Sequence, residues 1–419
     1  MYPFQRFSIN ILAFSKVWYS IKGLFYNCRL SELAHMTTIG ILTTIDANHG
    51  SCIFNSSLNA TISGLNEQYS VRFLEFLNLA YRLQETLRTL KINNNIPFYN
   101  FQRYQTLKRV SQQNLSIDKI INFHRTDELI NDVNDRHYDA LITAKVVWNL
   151  LPGATFPNIY WLPKKIKAKK IAYAISGHRT DLETFRSLKK QVYETLSDYQ
   201  LIGVRDKITQ IMMEEAGVDK IVPVQRIIDP AFFYREKPID FSILAEKYKI
   251  SKDRPILGML YYGKDQISES VCRHYHALGY QIINFNMLNP YADLNIGHRV
   301  DIDEWVALIK HLDFCITDRF HVSVFCLREG VPFVTFEPFR PKTLLNSKIF
   351  SVLESFNVEN HLYQDTYSDK FTTDQFISTC DSVKKNWETE LLPIVHANLE
   401  TNNQVQREFV ASVKNCLES

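Results

Sequence analysis

The sequence lacks the features that mark several common classes of protein. Its seven cysteines are odd in number and scattered, no CxxC pair occurs, and no His/Cys cluster has the spacing of a zinc site. The net charge is only +3 over 419 residues, with no dense basic stripe, and there is no repeat or low-complexity tract. These absences argue against a disulfide framework, a zinc protein and a nucleic-acid binder, and they favour reduced thiols in the cytoplasm.

Residues 1–36 form an amino-terminal extension that the sequence does not explain. The stretch from Ile9 to Tyr26 is apolar and aromatic, but Lys16 and Lys22 interrupt it. It is therefore a poor spanning helix and an imperfect secretory signal. Three interpretations stay open: an amphipathic segment on the inner face of the membrane, an additional helix packed on the body, or an extension upstream of a domain that starts at Met36.

From Thr37 onward, patterns typical of buried strands alternate with helical patterns. The series stops near Ile228, a charged connection follows from Arg235 to Arg254, and a second series starts at Pro255. Such alternation indicates parallel sheets covered by helices, and the chain length exceeds what one core usually serves. We predict an α/β protein with two Rossmann-like domains, residues 37–235 and 236–419, that face a cleft. The sequence does not indicate an oligomeric state.

The segment FCITDRFHVSVFCLREGVPF, from Phe314 to Phe333, is the most informative part of the chain. A short apolar strand precedes helical periodicity from Asp318 to Glu329, so Arg319 and His321 are expected in the first helical turn. Unpaired backbone N–H groups and the helix dipole favour an anion there, and an arginine offers a forked partner. The pattern predicts an anion site that contains a titratable imidazole.

The order of motifs along the chain resembles that of the polysaccharide pyruvyl transferase family. The resemblance covers about residues 36–358 and rests on order, because no single motif is specific. The matching pieces are Asn48-His49-Gly50, Asp139-Ala140-Leu141-Ile142 with Trp148-Asn149, Lys170 to Gly177, Gly203-Val204-Arg205-Asp206, Asp229-Pro230, and Arg319-Phe320-His321 with Val331-Pro332-Phe333.

This resemblance implies a fold similar to the two-domain glycosyltransferase-B arrangement. It also implies transfer of the enolpyruvyl group of phosphoenolpyruvate onto two hydroxyls of a sugar or lipid-linked oligosaccharide, giving a pyruvate ketal, with no metal or further cofactor. Carried over by position, Arg205, Arg319 and Lys348 would bind the donor. His321 would deliver a proton to C3 of the donor, as an imidazolium can near neutral pH.

Three further residues are candidates for loops that contact substrate: Asn48, Gly50 and His178. Asn48 and Gly50 could also form an ordinary turn before a helix, and His178 is an alternative acid. Arg205 could instead bridge Asp206 or a helix terminus.

The chain departs from the family pattern at two places. Thr143-Ala144-Lys145 stands where Gly-Ser-Asp is usual, which suggests that a polar, flexible loop has been replaced, and Val322 stands where glycine commonly follows the histidine. Two other functions therefore stay open. One is a nucleotide-sugar glycosyltransferase of the same architecture, and the other is a catalytically inactive member that acts as a binding protein.

Overall fold

Two parallel β-sheets form the centre of the structure, a computed structural model that describes residues 36–77, 99–121, 126–261, 265–286 and 288–419. The predicted helix from Leu79 to Lys91 and nearly all of the amino-terminal extension lie outside these residues. No helix within the described ranges is long and apolar enough to cross a membrane.

The first sheet has seven parallel strands in the order β3-β2-β1-β4-β5-β6-β7. The strands are β1 (Thr37–Leu42), β2 (Tyr69–Leu77), β3 (Ile117–Ile121), β4 (Ala140–Lys145), β5 (Lys169–Ile175), β6 (Leu201–Val204) and β7 (Val224–Arg226). Its helices are α1 (His49–Ser63), α2 (Tyr99–Asn114), α3 (Thr126–Asp135), α4 (Leu182–Leu196) and α5 (Lys207–Ala216), with 3₁₀ turns at Ile159–Trp161, Val218–Lys220 and Pro230–Phe233.

The second sheet has six parallel strands in the order β10-β9-β8-β11-β12-β13. They are β8 (Ile256–Leu260), β9 (Gln281–Asn284), β10 (Leu294–Asn295), β11 (Phe314–Thr317), β12 (Phe333–Phe336) and β13 (Tyr363–Gln364). The helices are α6 (Phe241–Tyr248), α7 (Asp265–Ala277), α8 (Ile302–Lys310), α9 (Phe320–Glu329), α10 (Lys348–Glu354), α11 (Glu359–Leu362), α12 (Thr373–Asn386) and α13 (Leu392–Glu418), with a 3₁₀ turn at Leu344–Asn346 and a π-helical turn at Trp387–Leu391.

The α/β fold predicted from the alternating patterns is confirmed. Strands such as β4 and β5 are buried along nearly their whole length, as expected of parallel strands covered on both faces. Strand order reverses between β1 and β4 in the first sheet and between β8 and β11 in the second. Ligands in such sheets lie beyond the carboxyl ends of the strands at these switch points.

Two segments differ from the sequence prediction. The connection predicted from Arg235 to Arg254 contains α6, whose first turn is capped by the Asp240 side chain. The sequence pattern assigns no helix or strand to the polar, aromatic stretch from Asn93 to Ser116. In the structure this stretch contains α2, which buries only Tyr99, Leu107 and Ser111 among its side chains. α2 carries few apolar positions and α6 has only eight residues, so periodicity alone does not distinguish either helix from a loop.

The last helix, α13, begins in the core of the second lobe, where Val395 is buried, and packs its carboxyl-terminal half against the first sheet. Phe409, Val413 and Leu417 join the core around Ile39 and Ile171. A Cβ on Gly203 of β6 would lie 2.4 Å from Phe409 Cζ, so glycine permits this close approach. The two lobes are therefore joined both at residues 227–241 and again through α13. The boundary at 235/236 stays a prediction.

Candidate active site

A cavity of about 770 Å³ lies between the two lobes at the carboxyl ends of both sheets. Loops after β1, β4, β5 and β6 line it from one lobe, and loops after β9, β11 and β12 from the other. The seven residues predicted from sequence all line it: Asn48, Gly50, His178, Arg205, Arg319, His321 and Lys348. Eight lysines and arginines line the cavity against three carboxylates, so it suits an anionic ligand.

His321 is the second residue of α9, and its ring touches the other lobe. A Cβ built on Gly50 of α1 would lie 2.0 Å from His321 Nδ1 and 2.3 Å from Cγ. Only a glycine leaves room for the imidazole in this position. His321 Nε2 is buried and has no hydrogen-bond partner among the described residues.

The surroundings of His321 keep its imidazole neutral. Burial lowers its pKa well below the ordinary value of 6.5, and the charges of Lys348, Arg205 and Lys145 lower that pKa further. A neutral imidazole with an unsatisfied nitrogen in a cationic cavity would gain a proton more easily once an anion is bound.

Arg205 and Lys348 lie on either side of the lobe boundary and share one aromatic neighbour. The Arg205 guanidinium carbon lies 5.1 Å from the centroid of the Phe320 ring, and Lys348 Nζ lies 5.2 Å from it. Burial, and then the charge of Arg205, lower the pKa of Lys348 to about 8, while Glu337 opposes the shift. The two cations therefore raise the positive potential at one point of the cavity.

The carboxylate partner of Arg205 is Asp229, not the Asp206 considered from sequence. Arg205 Nη1 donates to Asp229 Oδ2, and Arg205 Nε is buried without a partner in the described part of the chain. Asp206 instead caps α5 by accepting from the Thr209 N–H at 3.0 Å. The guanidinium is therefore fixed by one carboxylate and keeps donor capacity.

Arg319 precedes α9, because the helix begins at Phe320 and not at the predicted Asp318. The Arg319 N–H donates to Thr317 Oγ1 at 2.9 Å, which holds this residue in an extended conformation with φ of −108°. Its Nε lies 2.8 Å from Asp318 Oδ1. Arg319 thus sits at the helix start, where the backbone also favours an anion.

Asn48 caps α1, since its Oδ1 accepts from the Ser51 N–H at 2.8 Å. The neighbouring His49, which was not singled out from sequence, reaches across to the other lobe. Its Nε2 donates to the Val300 carbonyl at 3.0 Å, and its ring stacks on Trp305 at 5.5 Å. Burial and then the charge of Arg103 lower the pKa of His49 to about 3.

His178 follows β5 and shares the cationic surroundings of His321. Burial, and then the charges of Lys348, Arg205 and Arg179, lower its pKa to about 2. Its Nδ1 lies 3.5 Å from Ser176 Oγ, and its backbone carbonyl accepts from Asn346 Nδ2 at 2.8 Å. The second bond connects the loop after β5 to the loop after β12 of the other lobe.

Lys145, which is buried, and Asp46, which is partly exposed, form an ion pair that the sequence pattern did not predict. Lys145 Nζ donates to Asp46 Oδ2 at 3.0 Å, to the Thr44 carbonyl at 2.9 Å, and to Ser51 Oγ. The Lys145 backbone has a φ of 78°, in the left-handed region that non-glycine residues seldom adopt. Lys145 ends β4 and Asp46 lies in the loop after β1, so the pairing of these two strands, which no short motif indicates, brings the two residues together.

Residues 143–145 end a buried strand in this chain and do not form a flexible loop. Thr143 and Ala144 are buried within β4, and Thr143 Oγ1 donates to the Tyr160 carbonyl at 2.8 Å. Burial raises the pKa of Asp46, but Lys145 and the hydroxyls of Thr44 and Ser51 outweigh it, so that pKa is lowered overall. The carboxylate is ionised at neutral pH, and its side chain is 31% exposed.

No group of three or more His, Cys, Asp or Glu side chains in the described ranges could hold a metal ion. The described cysteines are free thiols, while Cys28 lies outside those ranges. They are Cys52, Cys272, Cys315, Cys326, Cys380 and Cys416.

Solved structures with similar folds are glycosyltransferases and related proteins. Medicago truncatula UGT71G1 complexed with UDP-glucose is 9% identical, with a TM-score of 0.54, over 93% of this chain and all of that chain. A glycosyltransferase from Rickettsia africae ESF-5 is 11% identical, with a TM-score of 0.51, over 91% of this chain and 99% of that chain. At such low identity these likenesses show the fold alone, and they confirm the predicted glycosyltransferase-B-like arrangement.

Sequence comparison shows the family to which the chain belongs. No curated protein matches the chain in a direct search. The profile of the family described as polysaccharide pyruvyl transferase matches residues 77–338, more than half of the chain, and spans most of the cavity-lining loops. The chain therefore belongs to the polysaccharide pyruvyl transferase family, which supports a transferase role in pyruvyl transfer to a polysaccharide.

Proposed function

We propose that the protein transfers the enolpyruvyl group of phosphoenolpyruvate onto two hydroxyls of one sugar in a polysaccharide or its precursor, forming a cyclic pyruvate ketal and releasing phosphate. The observation that carries the proposal is that Arg205, Lys348 and His321, from different elements and both lobes, line one cationic cavity. Family membership supports the reaction class.

Donor binding follows from charge. Phosphoenolpyruvate carries a carboxylate and a phosphate, and forked guanidinium groups bind such anions with directional hydrogen bonds. Arg205 has an unsatisfied Nε, Arg319 stands at a helix start, and Lys348 contributes a compact charge. The positive charges of these three side chains roughly balance the negative charge of the donor.

Donor binding also prepares the acid. Besides burial, the charges of Lys348, Arg205 and Lys145 lower the pKa of His321, and the donor would neutralise these charges. A bound anion with two or more negative charges raises the pKa of a nearby imidazole, because a full charge outweighs the partial charge of a helix end. His321 would then carry the proton that C3 requires, and only when the donor is present.

Asp46 is the group best suited to accept the proton of the acceptor hydroxyl. Its Oδ2 receives hydrogen bonds from Lys145 and Thr44, while the partly exposed carboxylate lines the cavity. As the acceptor oxygen bonds to C2, its proton passes to Asp46, and the C2=C3 electron pair takes the proton from His321. His321 is then neutral and can accept a proton in turn.

The second half of the reaction closes the ketal. The C2–O bond to phosphate breaks, assisted by the lone pair of the newly attached sugar oxygen, and the proton on Asp46 passes to the leaving phosphate. The second hydroxyl adds to C2 and gives its proton to neutral His321. Both side chains then return to their starting protonation states, and one phosphate is released for each ketal formed.

A nucleotide-sugar glycosyltransferase is the competing function, since a cationic cavity between two such lobes could also hold a diphosphate. Thermal unfolding with added ligand distinguishes the two. We expect millimolar phosphoenolpyruvate to raise the melting temperature and UDP to have little effect. Protection by UDP alone would favour the competing function, and protection by neither would favour an inactive binding protein.

Turnover is tested by phosphate release from phosphoenolpyruvate with a panel of aryl glycosides that carry free 4- and 6-hydroxyls. Mass spectrometry of the products detects the ketal. His321→Ala should bind the donor but release no phosphate above background. Wild-type rates in this variant would contradict the role proposed for His321.

A further inference from the structure

Two neighbouring loops at the mouth of the cavity expose an unusual set of side chains. Residues 151–155 follow β4 and residues 338–345 follow β12; together we call them the rim patch. Within it, Phe339 is 75% exposed, Leu344 47%, Leu151 45% and Leu345 40%. Scattered exposed leucines are common on proteins, but these four apolar side chains lie in two loops that both contact Asp181, and Phe339 also lines the cavity.

Hydrogen bonds to the loop after β5 connect the two loops of the rim patch, which come from different lobes. Lys342 Nζ contacts Asp181 Oδ2 at 2.5 Å, and the Asp181 N–H donates to the Leu150 carbonyl at 2.8 Å. Asn346, at the end of the second loop, donates to the Thr180 carbonyl at 3.1 Å. The exposed apolar side chains are therefore presented on an anchored platform.

The charges of this surface are basic. Arg340 and Lys342 lie between Phe339 and Leu344, and exposed Arg179 adjoins them. The nearby carboxylate of Asp181 forms an ion pair with Lys342. Basic side chains interleaved with exposed Phe and Leu suit an anionic bilayer surface, where the cations meet headgroups and the apolar side chains reach the acyl boundary.

We propose that the rim patch docks on a bilayer that contains anionic phospholipid, so that the mouth of the cavity faces the lipid headgroups. An acceptor carried on a lipid would then reach the cavity without leaving the membrane surface; this consequence, unlike the docking itself, rests on the proposed function. The exposed patch binds by its own apolar and basic groups, so docking requires neither donor nor acceptor.

The test is flotation of the full chain with phosphatidylcholine vesicles that contain or lack phosphatidylglycerol. We expect at least roughly tenfold stronger partition into the anionic vesicles at low salt, and a loss of that preference in high salt. The patch variants are Phe339→Ser and the double variant Leu344→Ser/Leu345→Ser. Phe339→Ser should lower partition by about tenfold and the double variant by about 100-fold, because each Phe or Leu that reaches the acyl boundary contributes about tenfold.

The matched control is Ile243→Ser/Leu278→Ser, which removes side chains that are 59% and 54% exposed but lie away from the rim patch. Its partition should equal that of the wild type, and melting temperatures should show that every variant is folded. Equal flotation of wild type and patch variants, or no flotation of the wild type, would overturn the proposal.

Self-association is the other use of such a surface. Sedimentation velocity distinguishes it without lipid. A wild-type dimer that becomes monomeric in the patch variants, without vesicle binding by either, would assign the rim patch to a second copy of the chain and refute membrane docking.

Discussion

Gly50→Ala should disable the site while leaving the fold intact. Gly50 lies in the first turn of α1, away from left-handed φ values, so its backbone accepts alanine and helix propensity favours the change by up to about 1 kcal/mol. The new Cβ, however, would lie 2.0 Å from His321 Nδ1, where ordinary contacts begin at 3.4 Å. The imidazole must move by roughly 1.4 Å, or the two lobes must separate by a similar distance.

The expected result is a loss of turnover without a loss of donor binding. A displacement of about 1 Å in a reacting group can lower the rate by about 100-fold. Arg205 and Lys348 do not touch Gly50, so the thermal shift produced by phosphoenolpyruvate should persist. Steady-state phosphate release gives kcat and KM, and we expect kcat to fall by about 100-fold with KM for the donor changed by less than about threefold.

Gly279→Ala is the matched control. A Cβ at Gly279 meets nothing within 4 Å, although its φ of 84° makes alanine strained. This variant should lose about 1 kcal/mol of unfolding free energy and keep full turnover. Normal kcat in Gly50→Ala would refute the reasoning, because it would mean that the ring of His321 need not occupy the position seen here.

Three further predictions follow from charges in the cavity. Since the pKa of Lys348 is about 8, donor affinity measured by calorimetry should fall above pH 8, and Lys348→Arg should remove that fall; an unchanged pH profile would contradict it. Asp46→Asn should lower kcat by about 100-fold or more while phosphoenolpyruvate still raises the melting temperature, whereas a normal kcat would exclude Asp46 as the proton acceptor. The pKa values of His49, His178 and His321 are lowered from 6.5 in the folded state, so the unfolded chain binds more protons below about pH 6.5. The free energy of unfolding should therefore decrease as pH falls from 6.5 to 5, by up to about 1.4 kcal/mol per pH unit for each histidine, in urea titrations; a flat profile would show that these imidazoles are not neutral when folded.

Local sequence pattern predicts some elements with the bounds that the structure shows. These include a helix over Lys207–Ala216, which Asp206 and Gly217 cap, and a strand over Phe314–Thr317. The short strands β3, β7 and β10 were not predicted. They have two to five residues, and they form because they pair with strands that are distant in sequence, more than because of their own composition.

The candidate site was predictable where its chemistry lies in short motifs, and unpredictable where it depends on contacts between motifs. Arg319 and His321 are two residues apart and could be placed at one helix start. By contrast, the pair of Lys145 with Asp46 joins residues 99 positions apart. Gly50 was selected as a loop residue, but its use as the space for an imidazole from the other lobe becomes visible only in three dimensions.

The placement of α13 has a consequence for biosynthesis. Gln406 Nε2 donates to the hydroxyl of Tyr173 across 233 positions of sequence, and Phe409 fills the space above Gly203. While the ribosome is still translating the second lobe, strands β5 and β6 have emerged without the side chains that finally cover them. The amino-terminal lobe therefore stays incompletely covered until Gln406 and Phe409 have been made, and during this interval we expect it to need a chaperone most.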